Sequence, residues 1–292
     1  MDALKCFGIL LVIEGHVWDI GMGIETYDSV SGMMLYSFNM PIFFFVSGFL
    51  AYKEAMGVKE FCKRLWQKFL FLVVPAVVFK IFMDLYQGLN PIHVIRDGFG
   101  GYWFTITLFE CFLIYYLVAQ LLKRSGAQMI CMALFAIVGI GLLSIYGEFG
   151  PKMLDMNRLT KYFQYFVFGL LAMRYRECYE RTMKNEWFKA GTIIAFFALL
   201  FTFNQVSWLA PIFHLLRDIV LRYLGTFIVI SFFVCKAAMF DTDTRWNGII
   251  SSIGQKSLAI YLLQYFFIPS FMAWPDWITG LDGFTIHVIS FV

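Results

Sequence analysis

Apolar stretches of about 20 residues recur along the 292-residue chain, with polar connections between them. An α-helix of that length crosses the hydrocarbon core of a bilayer. The pattern predicts nine helices, at residues 3–20, 31–52, 69–87, 102–122, 128–146, 160–175, 187–205, 214–236 and 251–272. A tenth helix begins near Phe284 and stops at Val292, too short to span, so we expect either that the chain is cut within its last helix or that its end lies flat or re-enters the membrane.

The amino-acid composition also indicates a membrane protein. Hydrophobic residues make up 60% of the chain and charged residues 15%, and the mean hydropathy is +0.72. These values are typical of a polytopic membrane protein. We therefore predict an all-α transmembrane helical bundle of nine to ten helices, with residues 1–292 forming one membrane domain. The basic residues cluster at helix ends rather than on one soluble face, which argues against a nucleic-acid partner.

The distribution of charge predicts the orientation. The connection after the second helix is rich in cations, whereas the first connection carries only acids, at Asp19, Glu25 and Asp28. Positively charged connections stay on the cytoplasmic side. The N-terminus is therefore expected in the cytoplasm.

The first helix is membrane-length yet contains Asp2, Lys5, Glu14 and His16. Ionisable groups are costly in hydrocarbon and usually mark a functional path. Lys5 and His16 are eleven residues apart, which places them on one helix face, roughly 16 Å apart along the axis. Histidine suits a general base; the alternative is a histidine that only packs against a neighbouring helix. Glu14 points away from His16 and fits a structural hydrogen bond at least as well.

Lys63, Arg64 and Lys68 form a second group, just before the predicted third helix. They fit two interpretations equally well. They are either a solvated cytoplasmic flank, or a site for the phosphates of an anionic cofactor that enters from the cytoplasm.

Other candidates lie within the helices. Asn39 precedes Pro41, and it either satisfies the backbone group that proline frees or lines a cavity. Ser47 belongs to a small-residue element that also allows close helix packing. Glu110 is an acid inside the fourth helix, and Trp103 is either an interfacial anchor or a substrate platform.

Two further sets of charged side chains are spaced so that they can form ion pairs. Lys80 and Asp84 are four residues apart and can neutralise each other within the third helix. Arg217, Asp218 and Arg222 border the eighth helix on the outer side, where they either hold a polar acceptor or pair with one another.

Several segments together resemble acyltransferase family 3, most closely its fucose 4-O-acetylase-like branch. The opening carries Asp2-x2-Lys5-x10-His16, followed by the segment FNMPIFFFVSGF from Phe38. Later segments that are similar to the family are Phe61-x2-Arg64 leading to Pro75, Tyr102-Trp-Phe with Leu108, Tyr162-Phe-x2-Phe166-x2-Gly169, and IGQKSLAIYLLQ from Ile253 to Gln264.

The resemblance implies a ten-helix transferase that moves an acyl group, usually acetyl from acetyl-CoA, to a hydroxyl of an extracytoplasmic glycan. His16 corresponds to the essential histidine and Lys5 to the basic member of its motif. Arg64 and its neighbours lie where the family is thought to receive acyl-CoA. Asn39 and Gln264 stand where the branch often has histidine, which leaves His16 to carry the proton chemistry alone.

The leading hypothesis is thus an O-acyltransferase of the bacterial cytoplasmic membrane. Its predicted catalytic residues are His16, Lys5 and Glu110, and its predicted acyl-CoA ligands are Lys63, Arg64, Lys68 and Lys5. Supporting or substrate-contacting roles are predicted for Asp2, Asn39, Ser47, Trp103 and Gln264, with no metal. The expected partners are membrane lipid, acyl-CoA and a glycan or lipid-linked sugar. The alternatives are a glycan or small-anion transporter, which predicts inverted repeats that we do not find, and a catalytically inactive relative.

Overall fold

The computed structural model describes residues 1–21, 30–53, 56–92, 94, 97–146, 150, 154–201 and 211–268. These residues contain helices, turns and connections but no strand, which confirms the predicted all-α class for them. The α-helices in chain order are α1 (Asp2–His16), α2 (Val30–Ala51), α3 (Val58–Lys68), α4 (Val74–Tyr86), α5 (Trp103–Leu121), α6 (Ser125–Tyr146), α7 (Met156–Arg174), α8 (Arg176–Lys184), α9 (Glu186–Phe201), α10 (Pro211–Cys235), α11 (Ala237–Phe240), α12 (Arg245–Gln255) and α13 (Ser257–Leu263).

Five helical segments of the described chain are long and apolar enough to cross a membrane. They are Val30–Ala51, Val58–Tyr86, Gly100–Leu121, Ser125–Tyr146 and Leu215–Cys235. A multi-pass helical membrane protein is thus supported, and the count of nine to ten helices stays a prediction. The predicted last helix, from Phe284, lies outside the described residues.

The chain divides into two compact units. The first comprises Met1–Phe43 and Glu177–Val292, and the second comprises Phe44–Arg176. The single membrane domain stays a prediction.

In the first unit, α1 packs along α12 and also meets α13, while α9 packs along α10. The contact of α1 with α12 depends on Gly254, because a Cβ at that position would overlap the backbone carbonyl of Asp2. The start of the chain is thereby held against a helix about 250 positions away in the sequence.

The second unit has an aromatic core. Seven of its aromatic side chains are almost completely buried: Phe44, Phe45, Tyr115, Tyr116, Phe163, Tyr165 and Phe166. The end of α2 approaches α7 closely, because Gly48 faces the carbonyl of Phe166 and Gly169 faces the carbonyl of Phe45. A side chain at either glycine would overlap backbone atoms, which supports the close-packing interpretation of the small-residue element.

Several helix boundaries differ from the sequence prediction, and α8 lies where a connection was predicted. The third helix begins at Val58 rather than residue 69, because α3 continues through a π-helical segment, Phe69–Val73, into α4. Its basic residues keep the local hydropathy low, so an apolar-run criterion assigns them to a connection. The predicted ninth helix is divided at Lys256 into α12 and α13.

The predicted pairing within the third helix is confirmed. Lys80 Nζ lies 2.5 Å from Asp84 Oδ1, and Asp84 is only 1% exposed. The ion pair supplies the partner that a buried carboxylate requires.

Candidate active site

Lys5 and His16 lie on one uninterrupted helix, α1, as the sequence predicts. Helical geometry therefore sets their common face and their axial separation of roughly 16 Å. His16 is the last residue of α1, and a π-helical turn, Val17–Gly21, follows it. Turns of this type are frequent at functional sites.

At the other end of α1, Lys5 is paired rather than isolated. Its Nζ lies 2.7 Å from Asp2 Oδ1. Asp2 Oδ2 accepts hydrogen bonds from Gln255 Nε2 at 3.1 Å and from Ser251 Oγ at 3.4 Å. Asp2 thus contacts both Lys5 and α12, and its supporting role in a site stays a prediction.

The imidazole of His16 meets two side chains from the short 3₁₀ turn Gln264–Phe266. Tyr265 Oη is 3.4 Å from His16 Nε2, and the side chain of Gln264 faces the same ring. Gln264 donates its Nε2 to the Tyr261 carbonyl at 3.0 Å. Its Oε1 and His16 Nδ1 are both buried, and neither makes a hydrogen bond to the described residues.

Tyr265 meets the Nε2 side of the ring, and the direction of that hydrogen bond depends on the tautomer of His16. A neutral imidazole with its hydrogen on Nδ1 accepts a proton at Nε2, as a general base must.

A polar group from α2 and α10 lies next to this imidazole. Asp19, in the π-helical turn, acts electrostatically on His16, and its Oδ2 accepts a hydrogen bond from Tyr36 Oη. Arg222 Nη1 donates to the Tyr36 carbonyl at 3.3 Å, and its Nη2 lies 3.4 Å from Asp218 Oδ2. The predicted pairing of Arg222 with Asp218 is therefore observed.

Asn39 is buried, and its Oδ1 accepts a hydrogen bond from the backbone N–H of Met40 at 2.6 Å. Pro41, which lies within α2, leaves the Ser37 carbonyl without its helical donor rather than the Met40 N–H, so both predicted roles of Asn39 stay predictions.

The second unit contains a surface pocket of about 520 Å³ whose polar lining includes Arg64, Lys68 and Tyr116. Arg64 Nε donates to Glu60 Oε1 at 2.8 Å, and its guanidinium also meets Tyr116. The Lys68 ammonium lies 4.0 Å from the centroid of the Phe112 ring. Two cations beside the apolar side chains of Leu70 and Phe71 suit a ligand with anionic and apolar parts.

The three predicted phosphate ligands are not equivalent. They belong to helix α3 rather than to a connection, so their directions follow helical spacing. Arg64 and Lys68 are four residues apart and share a face. Lys63 is exposed and is not part of the pocket lining.

Glu110 lies on α5 and is 8% exposed. Both of its carboxylate oxygens are buried and make no hydrogen bond to the described residues. A buried carboxyl without a partner is costly, so a functional role is a reasonable prediction for it. Glu110 belongs to the second unit and His16 to the first.

Trp103 packs within an aromatic stack. Its ring stacks on Tyr162 at 5.2 Å, and the Arg158 guanidinium covers it at 4.7 Å. Ser47 is half-buried next to the closely packed Gly48. These contacts are structural, and the substrate roles of Trp103 and Ser47 stay predictions.

Among the predicted site residues, the first unit contains two groups, Asp2 with Lys5 and His16 with Gln264. The second unit brings Arg64 and Lys68 together at the pocket. Sequence reasoning gave no site role to Tyr36, Tyr116 or Tyr265. The three-residue spacing of Asp19 from His16 was the one local signal for that acid.

No group of three His, Cys, Asp or Glu side chains in the described part of the chain is arranged to hold a metal ion. A family model described as an acyltransferase domain matches residues 1–287. No curated protein and no solved structure matches the chain.

Proposed function

Since this chain belongs to acyltransferase family 3, we propose that it transfers an acyl group, usually acetyl, from cytoplasmic acyl-CoA to a hydroxyl of a cell-envelope or extracellular glycan. The observation that supports this proposal best is the environment of His16. The imidazole is next to Tyr265 Oη, 3.4 Å from Nε2, and its Nδ1 is buried without a hydrogen bond to the described residues. Within the family, the motifs around His16 favour the fucose 4-O-acetylase-like branch.

The donor fits the pocket on α3. Arg64 and Lys68 provide charge-assisted hydrogen bonds for CoA phosphates, and Leu70 and Phe71 provide an apolar wall for the pantetheine arm. Lys5 then guides the thioester end. Acyl-CoA is a substrate, and no metal is needed for this chemistry.

A single general base is sufficient for the proposed reaction. His16 Nε2 takes the proton of the acceptor hydroxyl as its oxygen attacks the thioester carbonyl carbon. The C–S bond breaks, and the proton passes to the CoA thiolate, which leaves as the free thiol. In a second version His16 is acylated first and passes the acyl group to the acceptor.

A membrane orientation follows from the charges. The cationic helix α3 and the connection before it suit the cytoplasmic side, where acyl-CoA is available. We therefore propose a bacterial cytoplasmic membrane protein with a cytoplasmic N-terminus, which uses the His16 end of α1 for an acceptor beyond the midplane.

The test is cleavage of acetyl-CoA labelled in its acetyl group. With a cell-envelope glycan extract added as the acceptor, purified wild type is expected to release CoA, and His16→Gln is expected to lose at least about 100-fold in rate. His93→Gln, a change of the same residue type at a position without an assigned role, serves as the control. Label that stays on the protein favours the acyl-histidine version.

The rival classes give other results. A transporter binds a glycan or anion without breaking the thioester, and an inactive relative shows the same negligible cleavage with and without His16. Either result in folded protein would reject the transferase.

A further inference from the structure

Glu110 lies in the middle of a membrane-spanning segment, Gly100–Leu121, and the transfer proposed above gives it no step. It is 8% exposed, and neither of its carboxylate oxygens makes a hydrogen bond to the described residues. A bare carboxylate in that setting has lost its water without gaining a partner, which is strongly unfavourable. A carboxyl group in this position therefore takes up a proton or holds a cation.

A second buried polar group lies one turn away on the same helix. Thr107 precedes Glu110 by three residues, so the two side chains share one face of α5, with Cβ atoms about 5–6 Å apart. The Thr107 side chain is 0% exposed, and its Oγ1 makes no hydrogen bond to the described residues. One small ligand between the two side chains can contact both.

The hydroxyl of Thr107 also lacks the bond that other helical threonines of this chain make. A threonine inside a helix commonly donates to a carbonyl three or four residues earlier. Thr105, on the same helix and equally buried, donates its Oγ1 to the Tyr102 carbonyl at 2.9 Å. Thr160 and Thr192 make the same kind of bond in α7 and α9. The Thr107 oxygen is therefore left for another partner.

The titratable groups next to Glu110 supply no positive charge. Asp155, at the start of α7, acts electrostatically on Glu110, and a second acid disfavours a bare negative charge further. Asp155 itself pairs with Arg158, whose Nη1 lies 2.5 Å from Asp155 Oδ2. The adjacent Cys111 is completely buried, and a thiol in apolar surroundings stays neutral.

The other elements packed on α5 do not neutralise Glu110 either. Arg64 and Lys68 of α3 contact α5 closer to its C-terminus than Glu110. Neither makes an ion pair with the Glu110 carboxylate, whose two oxygens are without a partner among the described residues. The helix α6 and the π-helical segment Phe69–Val73 contain no charged residue. Positive charge at this site must come from a bound ligand.

We propose that Glu110 and Thr107 form a site for one monovalent cation inside the second unit. The cation is either a proton, shared through a water molecule between the carboxyl and the hydroxyl, or Na⁺ bound directly by both oxygens. Either occupant removes the bare charge and satisfies polar groups that the described residues leave unsatisfied. The site is independent of the proposed function, because it needs neither His16 nor acyl-CoA.

Infrared difference spectroscopy of the purified full chain, wild type minus Glu110→Gln, isolates the signal of this carboxyl group. The spectra are recorded at neutral pH in choline buffer without Na⁺. The expected result is the C=O stretch of a carboxylic acid in wild type, which Glu110→Gln lacks. An ionised carboxylate signal under these conditions would overturn the site, because it would show a bare charge at this position.

Addition of Na⁺ then distinguishes the two occupants, with choline at equal ionic strength as the control. Replacement of the acid band by a carboxylate band as Na⁺ rises identifies a Na⁺ site. An acid band that Na⁺ leaves unchanged identifies a proton site.

Thr107→Val and Thr105→Val are a matched pair, since each removes one buried hydroxyl from α5 and keeps the shape of the side chain. Thr107→Val should lower the midpoint pH of the acid band by about 0.5–1 unit, or raise the Na⁺ concentration at half-conversion about 3- to 10-fold, because the cation loses a ligand. Thr105→Val should leave both midpoints unchanged.

Equal shifts in the two threonine variants, or no shift in either, would overturn the two-residue site. Thermal unfolding in detergent checks that each variant is folded. Should Glu110→Gln not fold, the acid band that shifts in Thr107→Val but not in Thr105→Val identifies the Glu110 carboxyl, and absence of such a band would overturn the site.

Discussion

Replacement of Lys68 by methionine is the sharpest test of the donor pocket. Lys68 lines the pocket with Arg64, and its ammonium lies 4.0 Å from the Phe112 ring centroid. Methionine keeps a long, flexible side chain against that ring and removes only the charge. Lys63→Met makes the identical change on the same helix, at an exposed position outside the pocket lining.

The expected magnitude follows from one lost contact. A hydrogen bond between an ammonium and a phosphate contributes about 1.5–3 kcal/mol. Its removal should raise the KM for acetyl-CoA about 10- to 100-fold, with kcat changed by less than about threefold, because the phosphates are remote from the reacting carbon. Lys63→Met should change the KM by less than about twofold. The cation–π contact adds about 0.5–2 kcal/mol to folding, which methionine packing partly replaces.

The assay compares two donors. Acetyl-CoA carries the phosphates, and acetyl-pantetheine lacks them. In wild type, kcat/KM should be much higher for acetyl-CoA, and this preference should shrink in Lys68→Met because acetyl-pantetheine has no phosphate to lose. Thermal unfolding in detergent checks that both variants remain folded.

Two outcomes would contradict the pocket assignment. Equal effects of Lys63→Met and Lys68→Met would show that α3 acts as a diffuse positive flank. An equal loss with acetyl-pantetheine would show that Lys68 supports the fold or the chemistry rather than the phosphates.

Two further predictions concern helix packing and the base. Gly48→Ala should lower the unfolding temperature in detergent, because its Cβ would overlap the Phe166 carbonyl, whereas Gly141→Ala, where nothing lies within 4 Å, should be neutral or stabilising. Gln264→Leu should lower kcat at least about 10-fold at an unchanged KM for acetyl-CoA, because an apolar side chain would replace the amide beside the His16 ring. Gln264→His, which keeps a hydrogen-bonding group there, should retain more activity, and equal activity of the two variants would contradict a role of Gln264 beside His16.

Relations within one helix could be predicted from the sequence. The common face of Lys5 and His16 and the pairing of Lys80 with Asp84 depend only on helical spacing, which a short segment determines by itself. The membrane class has a similar origin, since the length and polarity of each apolar stretch decide whether it can enter a bilayer.

The boundaries of polar helices were harder to predict from the sequence than those of apolar helices. An amphipathic helix such as α3 has no apolar run, so its cations were assigned to a connection. Its helical form then decides which of them share a face, and it separates Lys63 from Arg64 and Lys68.

The partners of the site residues depend on the tertiary structure. Tyr265 reaches His16 across 249 positions of the chain, and Gln255 reaches Asp2 across 253. Such pairs form when helices distant in sequence pack side by side, and Gly254 allows that approach at one end of α1. The sequence by itself therefore determined the membrane class and the line from Lys5 to His16. Only helix packing decided which side chains lie next to Lys5 and His16, because side chains distant in the chain meet only after the helices have packed.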